Sequence, residues 1–177
     1  AGGLYNPELS VEEQFASIQP RVVDLDTGMF LDDVDPSTFD QRKAAKDPAS
    51  SKALSGDEDP AKILRRENRA TVYLVNDDAG ELDRIILPIH GYGLWSTLYG
   101  FVALESDANT IVGLGFYEHG ETPGLGGEVD NPNWKAKWPG KLADKDGEVA
   151  ISVLKGAGNP ASSNASWQGD GLSGATL

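Results

Sequence analysis

Cysteine is absent from all 177 residues, and methionine occurs once. The missing thiols exclude disulfides, thiolate-held iron–sulfur clusters, zinc–thiolate centres and cysteinyl-flavin links. They leave the redox compartment open, because a chain without cysteine is stable in either environment. Long apolar runs are also missing. No stretch approaches the roughly 20 residues that a membrane-spanning helix needs. No signal peptide is visible, and Ala1-Gly2-Gly3 reads as a trimmed or engineered start. Positive charge is scarce: 15 Lys and Arg face 28 Asp and Glu, a formal net charge of −13. So acidic a surface repels phosphate backbones and anionic headgroups, which argues against nucleic acid as a partner and fits solubility. There are two histidines, His90 and His119, without HxxxH spacing, and no thiolate to join them. No metal site is expected from them; both adjoin glycine loops and are expected to hydrogen-bond loop backbone or flank a bound ligand. The acidic runs Asp32-Asp33 and Asp57-Glu58-Asp59 lack the EF-hand pattern and read as solvated surface.

Glycine is plentiful at 21 residues, with 10 prolines and a hydrophobic fraction of 39%. That many turns favour a β-rich or α+β domain over a helical bundle; with the elements read below, the expected fold is α+β, an antiparallel β-sheet core with a few short helices. The length suits one domain with a smaller appended segment, able to bury roughly 70% of its unfolded surface without staples. Residues 8–19 have capping-box spacing at Ser10 and Glu13, with Val11, Phe15 and Ile18 on one face, and predict a short helix. Residues 21–30 alternate and then turn at Thr27-Gly28, which predicts a strand and hairpin. Residues 31–60 are acidic and irregular, with a short helix around 39–46. Pro60 opens a predicted helix over 60–69.

From residue 70 the texture changes. Runs at 70–75, 83–89, 98–105, 110–118 and 148–155 are β-branched and aromatic, with turns at 77–80 and 106–109 between them. The pair 98–105 and 110–118 is the best hairpin candidate. Pro88 would remove a ladder hydrogen bond, so its strand should stop there or lie at an edge. In Asn131-Pro132-Asn133-Trp134, Asn131 caps a short helix, Pro132 is its first residue, and Trp134 and Trp138 share a face. These signals divide the chain into 1–60, a helix, hairpin and acidic segment flanking the core, and 61–177, the main domain.

Three glycine-rich stretches carry the candidate chemistry. The first is His90-Gly91-Tyr92-Gly93-Leu94-Trp95-Ser96. The second is Glu121-Thr122-Pro123-Gly124-Leu125-Gly126-Gly127, placed after a strand, where backbone N–H groups can meet a planar ring or a phosphate. The third is Asp170-Gly171-Leu172-Ser173-Gly174-Ala175-Thr176. Its glycines permit close backbone approach, its N–H groups can cradle a phosphate, and Thr176 offers a hydroxyl to a transferring phosphoryl group. A threonine hydroxyl is a weak nucleophile, so a separate transferase would have to attach whatever it carries. By composition alone each stretch also reads as an ordinary surface loop or linker.

Taken in order, the runs 87–96, 118–129, 131–134 and 170–177 resemble the C-type subunit of the Na+-translocating NADH:quinone oxidoreductase, a covalent FMN-binding domain family. The resemblance extends from about residue 20 to the end. The stretch containing Gly93 to Ser96 favours this C-type subunit over the related G-type electron-transport subunit of the Rnf-type complex. The resemblance implies FMN held covalently through a phosphoester on Thr176, with Ser173, Gly174, Ala175, Leu172 and Asp170 forming the attachment motif. It implies that Glu121, Thr122, Gly124, Leu125 and Gly126 meet the isoalloxazine ring, that Trp95 packs near it, and that Lys155 pairs with the phosphate or the reduced ring. From Asp170 an Asx-type bond organising the turn is expected. The partners implied are the other subunits of a membrane complex and a flavin transferase. The family works on the extracytoplasmic side, joined to the inner membrane by an N-terminal helix. Neither that helix nor the family's stretch beyond the motif is expected within this chain, which reads as a soluble fragment truncated at its C-terminal end. Within the complex it would relay electrons from NADH toward quinone. A different class of reading, a flavin-free assembly domain, predicts no flavin absorbance. A standalone flavoenzyme finds no acid–base pair or nucleophile apart from Thr176.

Overall fold

A computed structural model of the chain describes residues 17–172. The described chain opens with β1 (Ile18–Asp24), then turns back through Gly28 at φ +71°, so that Val23 bridges to Phe30. The hairpin expected at Thr27-Gly28 forms. The predicted helix at 8–19 falls almost wholly outside the described residues, and Ile18 and Gln19 at its end are strand. The helix α1 (Gln41–Lys46) sits where a short one was expected, its first turn capped by the Asp40 carboxylate on the Lys43 N–H.

Next come β2 (Ser51–Ala53) and β3 (Arg65–Glu67), which pair antiparallel. The helix predicted for 60–69 does not form. Lys62 and Leu64 take positive φ values of 53° and 65°, and the Asp59 carboxylate accepts from the N–H groups of Ile63 and Leu64. A side-chain acceptor has captured the amides that a helix would have used, and tertiary pairing of β3 outweighs local helix propensity.

The main sheet is completed by β4 (Arg69–Asn76), β5 (Leu82–Tyr92), β6 (Thr97–Glu105) and β7 (Ile111–Glu118). Its order is β1-β4-β5-β6-β7, antiparallel throughout. Pro88 lies inside β5, paired to Phe101 of β6, yet β5 pairs with β4 only as far as Ile86 opposite Tyr73. Beyond that point the two strands part, and proline sits where no ladder bond is lost. On the other side of the gap, the Gln41 amide oxygen accepts the Thr71 N–H at 3.0 Å and covers the free edge of β4.

Alternation along β6 separates two faces. Leu98, Val102 and Leu104 join Ile111, Val129, Trp134 and Trp138 in the main core. Tyr99 and Phe101 point to the opposite face, under the segment 36–46. After β7, a 3-10 turn at Gly126–Asp130 leads into α2 (Pro132–Lys135), capped by Asn131 on the Asn133 N–H. Trp134 and Trp138 are both buried, with rings 5.4 Å apart and edge-on. The remaining strands are short: β8 (Asp144–Lys145) pairs with β9 (Glu148–Val149), and β10 (Ser152–Leu154) runs parallel to β11 (Gln168–Asp170). The single strand expected over 148–155 is thus broken in two at 150–151, where Ala150 and Ile151 both donate to the Ala143 carbonyl.

Candidate functional site

The β5–β6 turn and the loop after β7 are tied together by one carboxylate. Glu121 is buried, at 5% exposure, and receives the backbone N–H groups of Leu94, Trp95 and Ser96 at 3.3, 3.0 and 3.2 Å. Three donors converging on a carboxylate form a strong, charge-assisted cluster. Gly93 closes the same turn by donating to the Ser96 carbonyl, and a side chain there would displace two neighbours. A β-carbon there would stand 2.6 Å from Glu121 Oε1 and 2.5 Å from Leu98 Cδ1. In return, Ser96 Oγ accepts the Gly120 N–H at 2.6 Å. Trp95 rides on this turn with its side chain outside the core, 65% exposed.

The loop is braced from behind by His119. Its Nδ1 accepts the Glu121 N–H at 3.3 Å, which leaves Nε2 as the protonated nitrogen facing Asp130 Oδ2 at 2.9 Å. Lys135 reaches the other Asp130 oxygen at 3.2 Å. The hydrogen bond from His119, then Lys135, holds the Asp130 carboxyl below its usual range. Thr122 turns the chain with its carbonyl, which accepts from Leu125 and Gly127, and Gly124 takes φ +78°. Thr122 and Leu125 are exposed, whereas Gly126 is buried. The loop therefore presents Leu125 outward while Glu121 turns inward.

The third stretch is delivered by β11. The Trp134 indole N–H donates to the Asp170 carbonyl at 2.9 Å, and Gly169 lies so flat on Trp138 that a β-carbon would come within 2.5 Å of the ring. Gly171 donates to the Gly156 carbonyl and packs on the Leu154 carbonyl, where a β-carbon would overlap the oxygen. Leu172 packs into the core cluster that contains Val129. The Asx-type turn expected of Asp170 is replaced by longer-range bonds among the described residues: its carboxylate takes Lys137 Nζ at 2.6 Å and the Gly158 N–H at 2.8 Å. Lys155 follows β10, exposed and without an ion pair among the described residues.

Lys137 first, and the Gly158 N–H second, lower the Asp170 carboxyl below its usual value. A depressed folded pKa means that this contribution to stability is complete above about pH 4–5 and is lost as pH falls through the lowered value. Asp170→Asn should therefore melt earlier than the parent at pH 7, with the difference in Tm shrinking toward zero below about pH 4. A difference that is flat across that range would remove Asp170 from the account.

The structure brings Glu121 and Trp95 together, and it sets Lys155 one residue before Gly156, the acceptor for Gly171. Ser173, Gly174, Ala175 and Thr176 lie outside the described residues. His119 bonds loop backbone as expected, whereas the bracing residues Ser96, Asp130 and Lys137 were not among the expected site residues. Only the pairing of separate loops reveals them, although Ser96 stands inside the first stretch itself. Among the described residues no three His, Asp or Glu side chains gather as a metal-ligand set. No helix among them is long and apolar enough to cross a membrane.

Residues 93–177 match the family model of the FMN-binding domain. Over 99% of its length the chain is 57% identical to the C-type subunit of the Na(+)-translocating NADH-quinone reductase of Pseudomonas aeruginosa, covering 69% of that protein. The chain belongs to this C-type subunit family. The Vibrio vulnificus member is 53% identical over 99% of this chain and 68% of its own length. In three dimensions the chain matches the crystal structure of Shewanella oneidensis NqrC with a TM-score of 0.80, at 41% identity over 93% of this chain and 75% of that one. The crystal structure of the family member from Parabacteroides distasonis follows at a TM-score of 0.66 and 29% identity, covering 94% of this chain and 73% of that chain.

Proposed function

We propose that this chain is the electron-carrying part of the C-type subunit of a sodium-translocating NADH–quinone reductase, with FMN joined through its phosphate to the Thr176 hydroxyl. The observation that carries the reading is the match of residues 93–177 to the FMN-binding domain, supported by how the three glycine stretches converge. Leu172 enters the same core cluster as Val129, which follows the second stretch, one residue before the Ser173–Thr176 run begins. The residues suit a flavin. Trp95 and Leu125 offer exposed apolar surface, and the turns at 93–96 and 122–127 have fixed backbones. Lys155 is an exposed cation near the motif, without an ion pair among the described residues. When bound, the flavin supplies reversible one- and two-electron chemistry, and the protein's part is to hold it, tune it and leave an edge accessible.

In this reading Thr176 gives up its hydroxyl proton as the phosphoester forms. The transferase would bring an activated FMN donor, whose bond from the FMN phosphorus to its leaving group breaks as the Thr176 O–P bond forms; the leaving group departs and a base on the transferase takes the proton. Lys155 balances charge at the phosphate, Leu125 and Thr122 meet the ring, and Trp95 packs beside it. The other members of the membrane complex are the partners, on its extracytoplasmic side. The test is to produce the chain with and without a flavin transferase. With it, intact mass should rise by FMN less water, flavin absorption bands should appear, and Thr176→Leu should lose both. An unmodified mass and a colourless wild-type protein beside an active transferase would instead favour the flavin-free assembly reading.

A further inference from the structure

The sheet face turned away from Trp134 and Trp138 carries a cavity of about 610 Å³. It opens where β4 and β5 part, between the sheet and the segments 36–46 and 62–65. The volume suits one small organic molecule. Its floor is aromatic. Phe101 and Tyr117 lie 5.3 Å apart and nearly parallel, and Tyr73 meets Phe101 edge-on at 5.9 Å. Tyr99 continues the floor beneath the Arg42 guanidinium, 3.6 Å from its ring centre.

The charge of the lining opposes that of the protein. Arg42, Lys46, Lys62 and Arg65 line the cavity against two carboxylates, Asp40 and Glu67, in a chain of net charge −13. Most of these groups are already engaged. Arg42 donates to Glu118 and the Tyr117 hydroxyl, Arg65 to Ser51, while Asp40 caps α1 and Glu67 accepts from Gln41. Lys46 and Lys62 are different. Both are exposed, and neither has an ion pair among the described residues. Lys62 is moreover held at φ 53°, a backbone conformation uncommon for a residue with a side chain.

An aromatic floor with two uncommitted cations beside it selects a flat ring carrying an acid group. The rings gain contact with the floor, and the acid meets the ammonium groups in a part of a repelling protein where positive charge prevails. We propose that this cavity is a second binding site, separate from the flavin, for a planar aromatic anion of one to three rings. The proposal stands whether or not Thr176 carries FMN.

Titration calorimetry with naphthalene-2-sulfonate as the probe, and the uncharged 2-naphthylmethanol as its control, tests it on the whole chain. The expected result is saturable 1:1 binding of the sulfonate, at least tenfold tighter than the control and weakening as salt is added. The double variant Lys46→Glu, Lys62→Glu should lose at least tenfold, and Phe101→Ala should weaken binding as well. Thr176→Leu should bind like the parent. Both lysines are exposed, so the fold should persist, with the thermal midpoint as the check. If the charge reversal does unfold the chain, the milder pair Lys46→Gln, Lys62→Gln replaces it and should show the same direction of loss. Absence of saturable heat in the parent, equal affinity for the uncharged control, or unchanged binding in the folded lysine variants would each overturn the site.

Discussion

Trp134→Ala is expected to cost about 3–5 kcal/mol of stability, the range for removing a buried tryptophan, and to lower Tm by about 6–20 °C. Three losses combine. The indole is 8% exposed and sits in the main core, so its removal leaves a cavity. Its ring packs edge-on against Trp138, which in turn lies flat on Gly169. Its N–H holds the Asp170 carbonyl at the end of β11. β11 is only three residues long, so this bond adds to its pairing with β10 and to the Gly171–Gly156 hydrogen bond in holding it. Under the flavin reading, attachment should fall together with stability. Trp95→Ala is the contrast: at 65% exposure it should change stability by no more than about 0.5 kcal/mol. Denaturant unfolding of both variants decides the matter. A Trp134→Ala protein within about 1 kcal/mol of the parent, or about as mildly affected as Trp95→Ala, would be incompatible with the packing described.

Glu121→Ala has the second largest expected effect, about 2–3 kcal/mol. Hydrogen bonds to a charged acceptor contribute more than neutral ones, and three N–H groups lose theirs together. The cost stays below three full penalties because the turn is half open to water: Leu94 and Trp95 are 38% and 65% exposed. Amide hydrogen exchange reads the effect directly. Leu94, Trp95 and Ser96 should be protected in the parent and exchange at least tenfold faster in the variant. Glu121→Gln should lie between, because its carbonyl oxygen can still serve Trp95 and Ser96, which both bind Oε1, while its amide group would face the Leu94 N–H. Equal protection in parent and alanine variant would show that the turn holds itself. Under the flavin reading, the same release would free Trp95 from the ring, so the two readouts should move together.

Much of the sheet is legible in the chain itself. The runs at 70–75, 98–105 and 110–118 become β4, β6 and β7 nearly as bounded, because β-branched and aromatic residues between Asp-rich turns have few alternatives. Asn131-Pro132 caps a helix as its composition demands, but the helix ends at Lys135, so Trp138 reaches Trp134 from the turn beyond it and not from a shared helical face. Pro88 behaves as its chemistry requires, but in an unforeseen way. The strand runs on through it because the neighbouring strand has already left. The segment 60–69 misleads because helix-forming side chains are set against an Asp59 carboxylate that caps in the wrong place for a helix, and against β2 waiting as a partner.

Composition and order alone determined the absence of thiol chemistry, the acidic surface, the α+β class, the three glycine stretches and the family they resemble. These are properties of residue type and local spacing, which a linear reading preserves. Only the tertiary structure decided that Glu121 faces inward to hold the turn that carries Trp95, that Trp134 supports the strand leading into the third glycine stretch, and that Lys46 and Lys62 border an aromatic cavity on the far face. Each depends on groups distant in sequence meeting at hydrogen-bond or packing distance or around one cavity, and no local pattern encodes which loop a buried carboxylate will find.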